Sequence, residues 1–146
     1  MQGVFSNPLA DPGIMGVSAG ASLGAVIAIA LGVTSLGMFY MPAFAFVGAF
    51  VSVGITILLT WRNNKLDTTT LLLAGVAVSM LLGAFTSGIL TMINEYRLRE
   101  FLFWMVGGLD FRRWDHVLLA VGPIMTGSVI LMMLGRHPVS YTHLRA

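Results

Sequence analysis

The chain has 146 residues, is 57% hydrophobic and only 10% charged, and carries a formal net charge of +2. No Asp, Glu, Lys or Arg occurs from Pro12 to Trp61, a run that a water-soluble domain of this size would not hold, so the composition reads as an integral membrane protein. The small charge excludes a nucleic-acid surface, and the absence of cysteine excludes a disulfide framework or a thiolate metal site.

Met1 to Phe5 lack the basic-then-apolar pattern of a signal peptide and read as the end of a preceding element. The segment Asn7-Pro8-Leu9-Ala10-Asp11-Pro12 is a polar turn with helix-start chemistry, in which Asp11 can cap a helix whose first position is Pro12. Gly16, Gly20, Gly24, Ala28 and Gly32 then recur every four residues, leaving one flank without bulk so that another backbone can approach closely. A membrane crossing takes roughly 20 residues. Spans are therefore predicted at Pro12 to Leu36, Pro42 to Trp61, Thr69 to Ile93 and Val117 to Gly135.

The short connection around Gly37, Tyr40 and Met41 makes the first two spans an antiparallel hairpin, and residues 62–67 form the next turn. The second span carries Gly48, Ser52, Thr56 and Thr60 at four-residue spacing, and the third carries Gly75, Ser79, Gly83 and Ser87. Two readings of these stripes stand: close helix packing, and a translocation path of weak polar contacts, the latter favoured for the third span.

The one long polar connection runs from Asn94 to His116. Within it Leu98, Phe101, Leu102, Met105 and Leu109 fall on one helical face, with Glu95, Arg97, Arg99 and Glu100 elsewhere. This predicts a short interfacial helix anchored by Phe103, Trp104 and Trp114, stopped by Gly107-Gly108, with Asp110 capping the approach to the fourth span. Pro123 beside Gly122 predicts a kink there. The last residues, 137–146, break every earlier pattern and read as a non-native tail, so a single membrane domain is drawn over residues 1–136.

By parity, the amino end, the 62–67 turn and the carboxyl end share one side of the membrane, and the 94–116 segment lies on the other. The charge rule does not orient this arrangement, with Arg62, Lys65 and Arg136 facing Arg97, Arg99, Arg112 and Arg113. The predicted spans contain no Asp, Glu, Lys, Arg or His. An ion-coupled carrier normally needs such a group within the membrane, and an enzyme needs a nucleophile, base or metal cluster. His116 beside Asp115 reads as an interfacial hydrogen-bonding pair, the ten methionines show no clustered spacing, and no phosphate-binding Gly-rich loop with its Lys is present. No cofactor is expected on this chain, and uphill transport would draw its energy from another subunit.

Four blocks carry a resemblance: Met1 to Pro12, Gly16-Val17-Ser18-Ala19-Gly20-Ala21, Leu71 to Ala77, and Phe103-Trp104-Met105-Val106-Gly107-Gly108. In order and spacing they resemble the FecCD/BtuC family, the permease subunits of ATP-binding-cassette importers for iron-siderophores, haem and vitamin B12. Asn7, Pro8, Asp11, Pro12, Gly16 and Gly20 form its most specific motif in this sequence. The resemblance implies an all-α, polytopic bundle of about four full spans, part of a ten-helix permease in the bacterial cytoplasmic membrane, with this chain running from the second helix through the sixth. It further implies a second permease subunit, identical or not, cytoplasmic ATPase subunits that hold ATP and Mg, and a periplasmic or lipid-anchored substrate-binding protein.

The resemblance also assigns roles. Gly75, Ser79, Gly83 and Ser87 would line the path, and Arg97, Arg99, Phe101 and Trp104 would belong to an outer gate helix, with the two arginines placed to meet a binding protein. Arg62 and Lys65 would be cytoplasmic. The expected cargo is an iron(III)-siderophore chelate, with vitamin B12 or haem as alternatives. From another class, the chain reads as a small four-helix membrane scaffold without transport activity.

Overall fold

The computed structural model describes residues 13, 16–61, 68–107 and 114–134. They form helices α1 (Val17–Leu31), α2 (Tyr40–Thr60), α3 (Thr68–Met92), α4 (Glu95–Val106) and α5 (Trp114–Leu134), with a 3-10 turn at Val33–Leu36. No strand occurs among the described residues, in keeping with the expected all-α class. The chain divides into two units, Met1–Gly108 with α1 to α4 and Leu109–Ala146 with α5.

Among the described residues three helices, α2, α3 and α5, are long and apolar enough to cross a membrane. Within the expected fourth, Pro12 to Leu36, the described helix α1 has 15 residues, about 22 Å of helix against roughly 30 Å of hydrocarbon. The cause is backbone conformation at two glycines of the stripe. Gly16 (φ 81) and Gly32 (φ 73) both adopt the left-handed region and cap the helix instead of extending it. The predicted cap at Asp11 and Pro12, like Asn7 and Pro8, lies outside the described residues.

α1 is the centre of the first unit, and Ala25, Val26, Ala28 and Ile29 are wholly inaccessible. α2 crosses it antiparallel, with Gly16 at Ser52, Gly20 at Gly48 and Gly24 at Phe44. At the middle of this crossing the two backbones are in contact, because a Cβ on Gly20 would overlap the Gly48 carbonyl oxygen and one on Gly48 would overlap that of Gly20. Along α2 the rest of the stripe continues this seam: Ser52, Thr56 and Thr60 are buried. Their hydroxyls are satisfied by carbonyls, Ser52 donating to Gly16 at 2.7 Å, Thr56 to Ser52 at 3.0 Å and Thr60 to Thr56 at 2.9 Å. The second span's stripe is therefore a packing seam.

α3 runs beside α1, with Val78 and Ser79 near Gly16 at one end. At the other end Ile89, Leu90 and Ile93 pack on the core of Val26, Ile29 and Phe101. The chain reverses at Ile93-Asn94, where the Asn94 side chain accepts the Arg97 backbone N–H at 3.0 Å and caps α4. Gly107, in the left-handed region, ends α4 as predicted; Gly108 lies outside the described residues.

α4 differs from expectation in both face and placement. Its packed residues are Arg97, Leu98, Glu100, Phe101 and Trp104, whereas Leu102 and Met105 are exposed and Leu109 is outside the described residues. It also packs lengthwise on α1. Arg97 meets Ala30, Phe101 packs with Val26 and Ile29, and Met105 accepts a long hydrogen bond from Ser22 at 3.7 Å. The helix thus returns antiparallel along α1 from residue 30 to residue 22, about 12 Å.

In the second unit, α5 begins at Trp114, earlier than the predicted Val117, with Asp115 in its first turn. It continues through Pro123 without a break in the helix. The Thr126 hydroxyl donates to the Gly122 carbonyl at 2.9 Å and to that of Pro123 at 3.1 Å, both within its own helix. Asp110 is outside the described residues.

Candidate functional site

The expected path residues separate into two pairs. Gly75 is buried and Ser79 half-buried, its hydroxyl donating to the Gly75 carbonyl at 2.8 Å, and both lie on the side of α3 that meets α1 and α2. Gly83 and Ser87 are exposed, and a Cβ on Gly83 would meet nothing within 4 Å. Helical geometry explains the split: each four-residue step advances a helix by 400°, so the stripe rotates about 40° per step away from its starting face. The packed face of α3 instead follows Leu71, Gly75, Val78 and Thr86. Thr86 satisfies its buried hydroxyl on the Leu82 carbonyl at 2.9 Å.

The expected gate residues also separate. Phe101 is 4% exposed in the core and meets the Trp104 ring at a centroid distance of 6.0 Å. Arg97 turns inward, and its guanidinium Nη1 donates to the Ala30 carbonyl at 2.7 Å. Arg99 turns outward, 3.7 Å from Glu95 across one helical turn, with both side chains largely exposed. Such a pair stabilises by less than about 1 kcal/mol and leaves Arg99 accessible. The outer face of α4 is completed by Tyr96, Phe103 and Val106, all strongly exposed.

Three structural contacts around these residues escape sequence reasoning: Asn94 as the α4 cap, Ser52 on Gly16, and Arg97 on Ala30. Asn94 carried a signal, a capping residue directly before an acidic first turn. The other two join residues 36 and 67 positions apart, and no local pattern encodes them.

Against this geometry, the model of the FecCD transport family matches residues 1–139. The chain belongs to the FecCD transport family. Its curated relatives include a "Cobalamin import system permease protein BtuC" from Halobacterium salinarum, 42% identical over 93% of this chain and 36% of the relative. A "Vitamin B12 import system permease protein BtuC" from Salmonella paratyphi A is 36% identical over 86% of this chain and 38% of its own length. The permease protein YvrB of Bacillus subtilis is 33% identical over 92% of this chain and 39% of its length. A solved structure described as a metal-chelate type ABC transporter in an inward-facing conformation superposes with a TM-score of 0.77 at 27% identity, over 91% of this chain and 41% of that one.

The FecCD chain thus spans somewhat over a third of the relatives it matches. Its helices are those of a multi-pass membrane protein. The FecCD match includes the motif at Asn7, Pro8, Asp11, Pro12, Gly16 and Gly20. Of these, Gly16 and Gly20 are described, and both are spent on the α1–α2 seam.

Proposed function

We propose that this chain forms part of the permease subunit of an ATP-driven importer in the cytoplasmic membrane, and that the cargo is a metal chelate. The family match over residues 1–139 carries the reading. Two of the relatives import cobalamin or vitamin B12, which supports cobalamin as the first cargo to test. An iron(III)-siderophore, the cargo expected from sequence, and haem are the other members of the same chemical class.

Energy enters from elsewhere. The helices α1, α2 and α3 hold no Asp, Glu, Lys, Arg or His, the groups that an ion-coupled carrier normally places within the membrane. The proposed assembly therefore includes ATPase subunits that bind ATP and Mg, a second permease subunit and a substrate-binding protein. Within this chain, Gly83 and Ser87 are the path residues left uncovered by its own helices, while Gly75 and Ser79 set the packing behind them. α4 is the proposed gate helix, with Arg99 on its accessible side.

The test is uptake of radiolabelled cobalamin and of an iron(III)-siderophore by cells with the corresponding locus deleted, then complemented. Loss and recovery of cobalamin uptake is the expected result. A deletion that leaves uptake of every metal chelate unchanged would sink the reading.

A further inference from the structure

We infer that Arg97 is a positioning residue that pins α4 to the end of α1. α1 ends at Leu31 with no basic residue in its last turn. Its final carbonyls are partly satisfied from within, since the Gly32 N–H bonds the Ala28 and Ile29 oxygens. The next carbonyl, Ala30, takes the Arg97 guanidinium at 2.7 Å. A helix carboxyl end carries free carbonyls and partial negative charge, so the guanidinium gains a charge-assisted hydrogen bond in a favourable field. In poorly hydrated surroundings an unpaired guanidinium and an unpaired carbonyl are both costly, and this one contact relieves both.

Gly32 gives an independent observation. Its left-handed backbone (φ 73) makes the turn, and a Cβ there would stand 3.0 Å from Arg97 Nη2. The same glycine that ends α1 therefore leaves the space that the guanidinium occupies. Below this polar contact, Phe101 packs on Val26 and Ile29, and Met105 lies beside Ser22. Apolar packing is non-directional and would tolerate sliding. The Arg97 contact, set within one turn of the Asn94 cap, supplies the register. Its neighbour Arg99 takes no part, being turned to Glu95 on the exposed side. The functional consequence rests on the permease reading: if α4 moves to admit cargo, its motion begins by breaking the Arg97–Ala30 contact.

The experiment uses the full-length permease assembled with its partners in membranes and carrying Ser22→Cys and Met105→Cys as reporters of α1–α4 proximity. A short bifunctional thiol reagent then reports the cross-linking rate at equal amounts of assembled protein. Arg97→Met should lower that rate about tenfold, the order expected for loss of a charge-assisted hydrogen bond. Arg97→Lys, which keeps one charged donor, should restore most of it, and Gly32→Ala should give an intermediate rate. Arg97→Met cross-linking at the parent rate, or Arg97→Lys falling as low as Arg97→Met, would overturn the assignment. Where Arg97→Met fails to assemble, Gly32→Ala decides, because it leaves the arginine in place: an unchanged rate overturns the pin. Cross-linking does not depend on cargo, so failure of the parent protein to take up chelates bears on the transport reading alone.

Discussion

Substituting Gly20 by Ala tests whether the α1–α2 seam is the structural device of this unit. The added Cβ would overlap the Gly48 carbonyl oxygen, stand 2.5 Å from the Ser52 Cβ and 3.0 Å from the Gly48 carbonyl carbon. Carbon atoms rest at about 3.5–4.0 Å, so the helices must separate by about 1 Å. Overpacking of this kind costs about 1–3 kcal/mol. The separation also stretches the Ser52–Gly16 hydrogen bond, now 2.7 Å; between membrane helices such a bond contributes about 0.6 kcal/mol on average. Against this, alanine gains about 1 kcal/mol in helix propensity. The net is a destabilisation of about 1–2 kcal/mol, or about 5 °C in thermal midpoint. The assay is thermal unfolding of the full-length protein in mild detergent, with Gly54→Ala as the matched control, since a Cβ on Gly54 meets nothing within 4 Å. A Gly20→Ala protein as stable as the Gly54→Ala protein would refute the close-contact argument.

Other outcomes follow from the same geometry. Gly16→Ala should destabilise by about 1–2 kcal/mol through its left-handed backbone, with the Ser52 hydroxyl 2.7 Å from the new Cβ adding to the loss; the same unfolding assay reads it. Ser52→Ala should cost about 0.5–1.5 kcal/mol, whereas Thr126→Ala, whose exposed hydroxyl serves only its own helix, should be near neutral. Gly83→Leu should reduce chelate uptake far more than Leu73→Phe, Leu73 being 67% exposed, without lowering the detergent midpoint. Equal uptake by both would remove Gly83 from the path.

What the sequence shows of this fold follows from the range over which each signal acts. Uncharged runs of span length locate α2, α3 and α5, because bilayer thickness imposes length and polarity on any crossing helix. The glycine stripe announces close packing, and Gly20, Gly24 and Gly48 deliver it. The stripe does not reveal that Gly16 and Gly32 are caps, because glycine is equally at home inside a membrane helix interface and in a left-handed turn. For α4 the apolar periodicity is present, yet two adjacent faces compete. The one containing Arg97 wins because its guanidinium finds a carbonyl on a helix 67 residues earlier, a contact that periodicity cannot anticipate. Likewise Leu72 is half-buried while its neighbour Leu73 is exposed, a difference that hydropathy alone does not carry.

The shortness of α1 then has a physical rationale in its position. Non-helical backbone at membrane depth is tolerable only where protein covers it, and α1 is the most enclosed helix of its unit. Both of its ends are tied to another helix: the Ser52 hydroxyl of α2 adds a second hydrogen bond to the Gly16 carbonyl, which already accepts the Gly20 N–H at 2.9 Å, and the Arg97 guanidinium of α4 reaches the Ala30 carbonyl. The neighbouring helices α2 and α3 are long and apolar enough to cross a membrane, whereas the shorter α1 takes a partner for its Ala30 carbonyl from α4. A helix held in this way is coupled to both neighbours at once. Movement of α4 bears on the same short element whose other end sets the α1–α2 seam, so weakening either terminal contact should loosen the helix at both ends.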